Sequence, residues 1–133
     1  MGKINSLNGY RAEKAFALLI EDIVEVRNVE DWASRACMSP DWLRKTIRKK
    51  YNKSPKQLLR EVRYEKIVSL IEKRGWRSCG DEIAIDSGTG QNCKALHKFL
   101  SRHYDVTITD LREELLTGKR IVDYVWLNND LNE

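Results

Sequence analysis

Asp41, Arg44, Lys45 and Arg48 recur at intervals of three and four residues, the spacing that lines side chains along one face of a helix. Leu43 and Ile47 fall on the opposite face. An arginine guanidinium offers five donors in a fixed planar fork and can bond O6 and N7 of guanine together, and a lysine ammonium reaches the same atoms less selectively. Arg44, Lys45 and Arg48 are therefore candidate base readers. Asp41 has three possible uses on that face: accepting from cytosine N4, excluding phosphates, or placing a favourable charge in the first turn of a helix. Lys49, Lys50, Lys53 and Lys56 follow near the helix end and the next turn, where side chains more often reach phosphates than bases. With Ser39 at the helix start they form the candidate phosphate contacts. A second set, Asn92, Lys94, His97 and Lys98, repeats the pattern: Asn92 suits adenine, Lys98 guanine or a phosphate, and Lys94 and His97 share the face.

The charge distribution points to the same class of partner. The 133 residues carry a formal net charge of +4. From Ser39 to Lys66 there are ten basic residues and three acidic ones, 10 − 3 = +7, so the remainder sums to −3. A solvated helix face ordinarily mixes signs through pairs one turn apart; a block this one-sided favours a polyanion. From Glu72 to Arg112 seven basic residues meet six acidic ones, so the second set is expected to add less affinity, chiefly through phosphates.

About seven helices must position these residues, and no strand is needed. The first is predicted from Gly9 to Val26, with Phe16, Leu19, Ile20, Ile23 and Val24 inward. Asn28 caps the second, whose apolar side is Val29, Trp32, Ala33 and Ala36. Cys37-Met38-Ser39 is a turn, after which Ser39 caps the third helix with Pro40 in its first position, where the missing N–H costs nothing. Asn52 tolerates the left-handed backbone that ends many helices. Trp42, beside Leu43 and near Trp32, is expected in the core, the other use of an indole there being to stack on a sugar or base. Ser54-Pro55-Lys56-Gln57 opens a long helix on Leu59, Val62, Ile67, Leu70 and Ile71 that stops at Gly75, a connector of about 25 Å at 1.5 Å per residue. The same grammar then recurs. Ser78 is expected to cap a short helix through Asp86, Ser87-Gly88-Thr89-Gly90 is a turn, Asn92 to Tyr104 is a helix on Leu96, Phe99, Leu100 and Tyr104, and Thr107 with Asp110 caps the last. The expected fold class is all-α: a first helix-turn-helix subdomain over residues 1–53, a linker helix over 54–74, a second helix-turn-helix subdomain over 75–116, and a C-terminal extension over 117–133.

In the first unit Trp32-Ala33, Met38-Ser39-Pro40, Leu43, Ile47, Tyr51, Ser54-Pro55 and Arg63, and in the second Glu82-Ile83-Ala84, Gly88, Leu96, Leu100, Tyr104, Val106-Thr107 and Leu111-Arg112, stand in an order and spacing that resemble the DNA-binding region of the AraC/XylS family of bacterial transcription regulators. The resemblance covers roughly residues 10–112. It implies a transcription regulator that binds double-stranded DNA, with two recognition helices entering successive major grooves about one helical turn, or ~34 Å, apart. With no spanning run and no signal-peptide core, a cytoplasmic protein of the bacterial nucleoid is expected; a full-length chain would resemble small members that bind asymmetric sites as monomers, a fragment would lack an effector domain, and RNA polymerase is a further candidate partner. The departures are Thr89 where an aromatic residue is usual, a longer second turn, Ile108 in place of a proline, and Cys37, Asn52 and Asp105 in place of glycines.

No enzyme is expected. There is no phosphate-binding glycine loop, no H-E-x-x-H, and no cysteine with an evident basic partner. Cys37, Cys79 and Cys93 lack zinc or disulfide spacing and read as small packing residues in a reducing compartment, so no metal or cofactor is expected. No apolar run approaches the roughly 20 residues that span a bilayer, so no membrane partner is expected. Residues 113–133 carry five acidic and two basic side chains, and Ile121, Val122, Val125 and Trp126 form an apolar strip expected to fold back on the domain, the alternative being to meet a partner. The rival function is a helix-turn-helix-derived module that binds a regulator or RNA polymerase and antagonises it. Salt dependence separates the two, because only a DNA binder loses affinity for duplex in proportion to the phosphates it neutralises.

Overall fold

The computed structural model describes residues 2–117, with side chains placed for residues 10–116 other than Arg77; the apolar strip from Ile121 to Trp126 lies outside the described residues. The elements are α1 (Gly2–Glu21), α2 (Val29–Arg35), α3 (Pro40–Tyr51), α4 (Pro55–Arg74), a 3₁₀ turn (Gly75–Arg77), α5 (Gly80–Ser87), α6 (Cys93–Tyr104), α7 (Ile108–Arg112) and a π turn (Glu113–Thr117). The fold is all-α, and no strand occurs among the described residues. The chain divides into two compact units, the first running to Tyr64 and the second from Glu65. Helix α4 therefore contributes its first half to one and its second half to the other.

In the first unit α1 packs on α3, and α2 on α3, around Ala15, Leu19, Ile23, Val26, Trp32, Ala33, Leu43, Ile47, Leu58, Leu59 and Val62. The inward stripe of α1 differs from the expected one. Ala12, Ala15, Leu19, Ile23 and Val26 are buried, whereas Ile20 is 52% and Val24 48% exposed. The helix also stops at Glu21, after which the amides of Glu25 and Val26 both donate to the Asp22 carbonyl. Two alanines carry the stripe where it meets the rest of the unit, and a pattern read from large apolar residues passes over them. Trp32 is fully buried, and its indole N–H donates to the Ala15 carbonyl at 2.9 Å, which removes the cost of burying that polar tip. From α4, Arg63 Nη2 donates to the carbonyls of Val26 and Arg27, both at 3.1 Å. Burial pulls this guanidinium below its ordinary pKa.

Helix α3 owes its ends to side chains and backbone geometry. Ser39 Oγ accepts from the Trp42 amide at 3.1 Å, and Pro40 takes the first position. At the other end Asn52 is left-handed at φ 57° and its amide donates to the Arg48 carbonyl. Burial of Leu43 and Ile47, both fully inaccessible, anchors the helix, each contributing on the order of 1.5–3 kcal/mol.

The second unit repeats the third helix closely and the second helix loosely. Helix α6 has Asn92 as its N-cap, accepting from the Ala95 amide at 3.0 Å, a left-handed Asp105 at φ 53° as its C-cap, and Leu96 and Leu100 buried. Both α3 and α6 are 12 residues long. Ser78 does not cap α5; Cys79 occupies that position without a side-chain bond. Ser78 is buried, its hydroxyl accepting from Arg112 Nε at 3.2 Å and its carbonyl from Arg112 Nη2, so it serves to anchor α7. Asp81 Oδ1 accepts from the Cys93 amide at 2.5 Å, joining the first turns of α5 and α6. Gly80 allows this close approach, since a Cβ would lie 2.5 Å from Cys93 Sγ and the Cys93 side chain would have to shift. Thr107 and Asp110 form a reciprocal capping box on α7. Ile108 is buried at 4% exposure and supplies core.

Candidate nucleic-acid interface

The exposed face of α3 carries Asp41, Arg44, Lys45 and Arg48, all open to solvent, because Leu43 and Ile47 commit the other face to the core. Lys45 and Arg48 have no ion pair among the described residues. Arg44 does: its Nη1 lies 2.7 Å from Asp41 Oδ1, with both side chains well exposed. An exposed pair of this kind is worth at most about 1 kcal/mol, so it adds little stability. It engages one nitrogen of the guanidinium, which has further N–H donors beyond that contact.

The candidate phosphate contacts divide. Lys56 is exposed, and Lys49 lies on the solvent side of the last turn of α3. Lys50 Nζ is 3.2 Å from Glu13, and Lys53 Nζ is 2.8 Å from Glu61. Glu61 Oε2 is buried with no hydrogen-bond partner among the described residues. The Lys53 ammonium compensates that carboxylate through its other oxygen, which makes Lys53 the least available of the set. Ser39 Oγ is occupied by its cap. Beside Lys50, burial and then Glu13 push the Tyr51 phenol above its usual pKa, with Lys50 partly opposing them.

Trp42 is not in the core. It is 42% exposed, one position off the Leu43–Ile47 stripe, and its indole forms part of the wall of a cleft that also includes Arg11, Lys14, Leu18 and Met38. The two cations, Arg11 and Lys14, come from α1, far from the basic block in sequence, and no local spacing could have pointed to them.

In the first turns of α6, Lys94, His97 and Lys98 are exposed, the counterparts of Asp41, Arg44 and Lys45 when the N-caps Asn92 and Ser39 are superposed in register. Asn92 is the cap, so its carboxamide oxygen is already used and only its amino group remains to donate. Arg102 continues the Lys94–Lys98 spacing and is exposed; the same i, i+4, i+8 rule would have found it. The turn before α6 is longer than its counterpart: Met38 alone separates the left-handed Cys37 from Ser39, whereas Thr89, Gly90 and Gln91 separate the left-handed Gly88 from Asn92. Ser87 Oγ and Thr89 Oγ1 lie 3.0 Å apart, both within reach of the Ala84 carbonyl, which closes that turn.

No protein-family model matches the chain, and no curated protein does. Among solved structures, the chain is similar to the crystal structure of a DNA-binding transcriptional dual regulator from Escherichia coli K-12. The TM-score is 0.63 at 21% identity, over 80% of this chain and 93% of that one. The two share a fold. Among the described residues no helix is long and apolar enough to cross a membrane, and no cluster of His, Cys, Asp and Glu could hold a metal ion.

Proposed function

We propose that this chain is a sequence-specific, double-stranded DNA-binding transcriptional regulator of the AraC/XylS type, in which α3 and α6 enter successive major grooves and α3 supplies most of the affinity. The observation that carries the reading is the outer face of α3, where Arg44, Lys45 and Arg48 stand exposed on a helix whose other side is anchored by Leu43 and Ile47. The fold shared with a DNA-binding transcriptional dual regulator supports it. Arg44 is the principal base reader, bonding O6 and N7 of a guanine; Asp41 fixes its orientation through their 2.7 Å contact and does not itself read a base. Lys45 and Arg48 flank it. Lys56 contacts a phosphate, with Lys50 and Lys53 joining only at the expense of their pairs with Glu13 and Glu61. On α6, Lys94, His97 and Lys98 make weaker contacts.

Selection of bound sites from a random duplex library tests this reading, and Arg44→Ala tests the assignment within it. The variant should bind its best site with a loss of about 1–3 kcal/mol and show relaxed preference at one base pair. An unchanged ranking of sites would remove Arg44 from the base contacts. No salt-dependent binding to any duplex would favour the protein-interaction module instead.

A further inference from the structure

Arg11, Lys14 and Leu18 of α1, Arg35 at the end of α2, Met38 of the turn and Trp42 of α3 line a cleft of about 510 Å³ in the first unit. Its cations are not equivalent. Arg35 is already committed to Asp22 at 3.4 Å, Glu25 at 3.2 Å and Asp31 at 3.7 Å. Arg11 and Lys14 are exposed and have no ion pair among the described residues; the Lys14 ammonium lies 5.8 Å from the centre of the Tyr10 ring. The cleft therefore combines two uncompensated cations with an indole, a thioether and an isobutyl group. A ligand that satisfies both kinds of lining has an anionic group joined to a compact apolar body.

We propose that this cleft receives one sugar–phosphate segment of the DNA backbone, flanking the bases read by α3. Arg11 and Lys14 neutralise its phosphate charge and Trp42 packs against the deoxyribose. Trp42 directly follows Asp41 and stands one turn before Lys45 and Thr46, so the cleft adjoins the reading face. The charge complementarity is to an anion such as a phosphodiester, since no carboxylate among the described residues lines the cleft. This inference rests on the DNA-binding reading and extends the interface to a helix outside the basic block.

The test uses the full chain and a duplex obtained by selection, with affinity followed over a salt series. Removing both charges in Arg11→Gln/Lys14→Gln should reduce the slope of log K against log salt by about 0.9 for each phosphate no longer neutralised, equivalent to roughly fivefold weaker binding per phosphate at about 0.15 M salt. All sequences should weaken alike and their ranking should not change. Trp42→Leu should weaken binding with the slope preserved, and Arg11→Lys should retain the wild-type slope, which separates charge removal from misfolding. Ethylation of a single flanking phosphate should reproduce the weakening seen in the double variant. A double variant with unchanged slope and affinity overturns the proposal while leaving base reading by α3 intact, and so does a change in site ranking, which would put these cations on bases. Binding of free phosphate or a small aromatic anion in the cleft without any effect of the double variant on duplex affinity also overturns it. Failure of the wild-type chain to bind any duplex defeats the DNA-binding reading, and this one with it.

Discussion

Cys37 has a φ of +58° in the turn before α3, and replacing it with glycine should stabilise the first unit. A β-carbon in the left-handed region costs roughly 1–2 kcal/mol against the following carbonyl. Glycine removes that cost but adds about 0.4–1 kcal/mol of unfolded-chain entropy. The thiol is exposed, so little buried surface is given up, and the turn's own bonds belong to the backbone: Cys37 N to Ser34 O at 3.1 Å and Met38 N to Ala33 O at 2.9 Å. The net gain expected for Cys37→Gly is about 0.5–1 kcal/mol. In urea, with a slope of roughly 1–3 kcal/mol per molar, the midpoint should rise by a few tenths of a molar. Cys37→Ala keeps the β-carbon and removes the thiol, so its midpoint should stay near that of the wild type. Asn52→Gly and Asp105→Gly, at φ 57° and 53°, should gain much less, because Asn and Asp tolerate this region through local hydrogen bonding. A midpoint for Cys37→Gly at or below the wild-type value, or an equal gain from Cys37→Ala, would show that backbone strain is not what limits this turn.

Two further outcomes follow from particular contacts. Arg63→Leu removes the donor to both the Val26 and Arg27 carbonyls, and urea unfolding should show a loss of about 2–3 kcal/mol; a loss under about 0.5 kcal/mol, the low end for a single hydrogen bond, would mean that water replaces the guanidinium freely. Tyr51 has its phenol pKa raised above 10.0 by burial first and Glu13 second, so the folded state favours the neutral ring. Its contribution is complete below the unfolded pKa and is lost as pH rises through the folded one. Tyr51→Phe should therefore flatten the alkaline decline of stability above about pH 10 and leave neutral pH unaffected; an unchanged decline would place its origin elsewhere.

The features legible in the amino-acid order were those decided within one or two helical turns. Ser39-Pro40 at the start of α3, Asn52 at its end, and the Thr107–Asp110 box all act over short stretches of chain, and the alternation of Leu43 and Ile47 with Arg44, Lys45 and Arg48 decides which face is wet. Features that depended on the packing of distant segments were not legible. The inward stripe of α1 runs through Ala12 and Ala15 because of what α1 meets across the core. Lys53 looks available in sequence, but Glu61, one helix later, stands 2.8 Å from its ammonium. Ser78 has the chemistry of a cap, yet Arg112 claims it from 34 residues downstream. Trp42 illustrates the limit at a single position: hydrophobicity places it inside, while the register of its own helix turns it to the edge of a cleft.

The two 12-residue helices α3 and α6 are held by their caps and by one buried pair each, Leu43 with Ile47 and Leu96 with Leu100. The exposed side chains of the two reading faces contribute almost nothing to that scaffold. Substitutions at Arg44, Lys45 or Arg48 on one helix, and at Lys94, His97 or Lys98 on the other, are thus nearly free of folding consequences, since exposed positions rarely shift stability by more than about 0.5 kcal/mol. On the proposed reading, substitution can therefore retune one face while the helix beneath it stays folded and the other face is untouched.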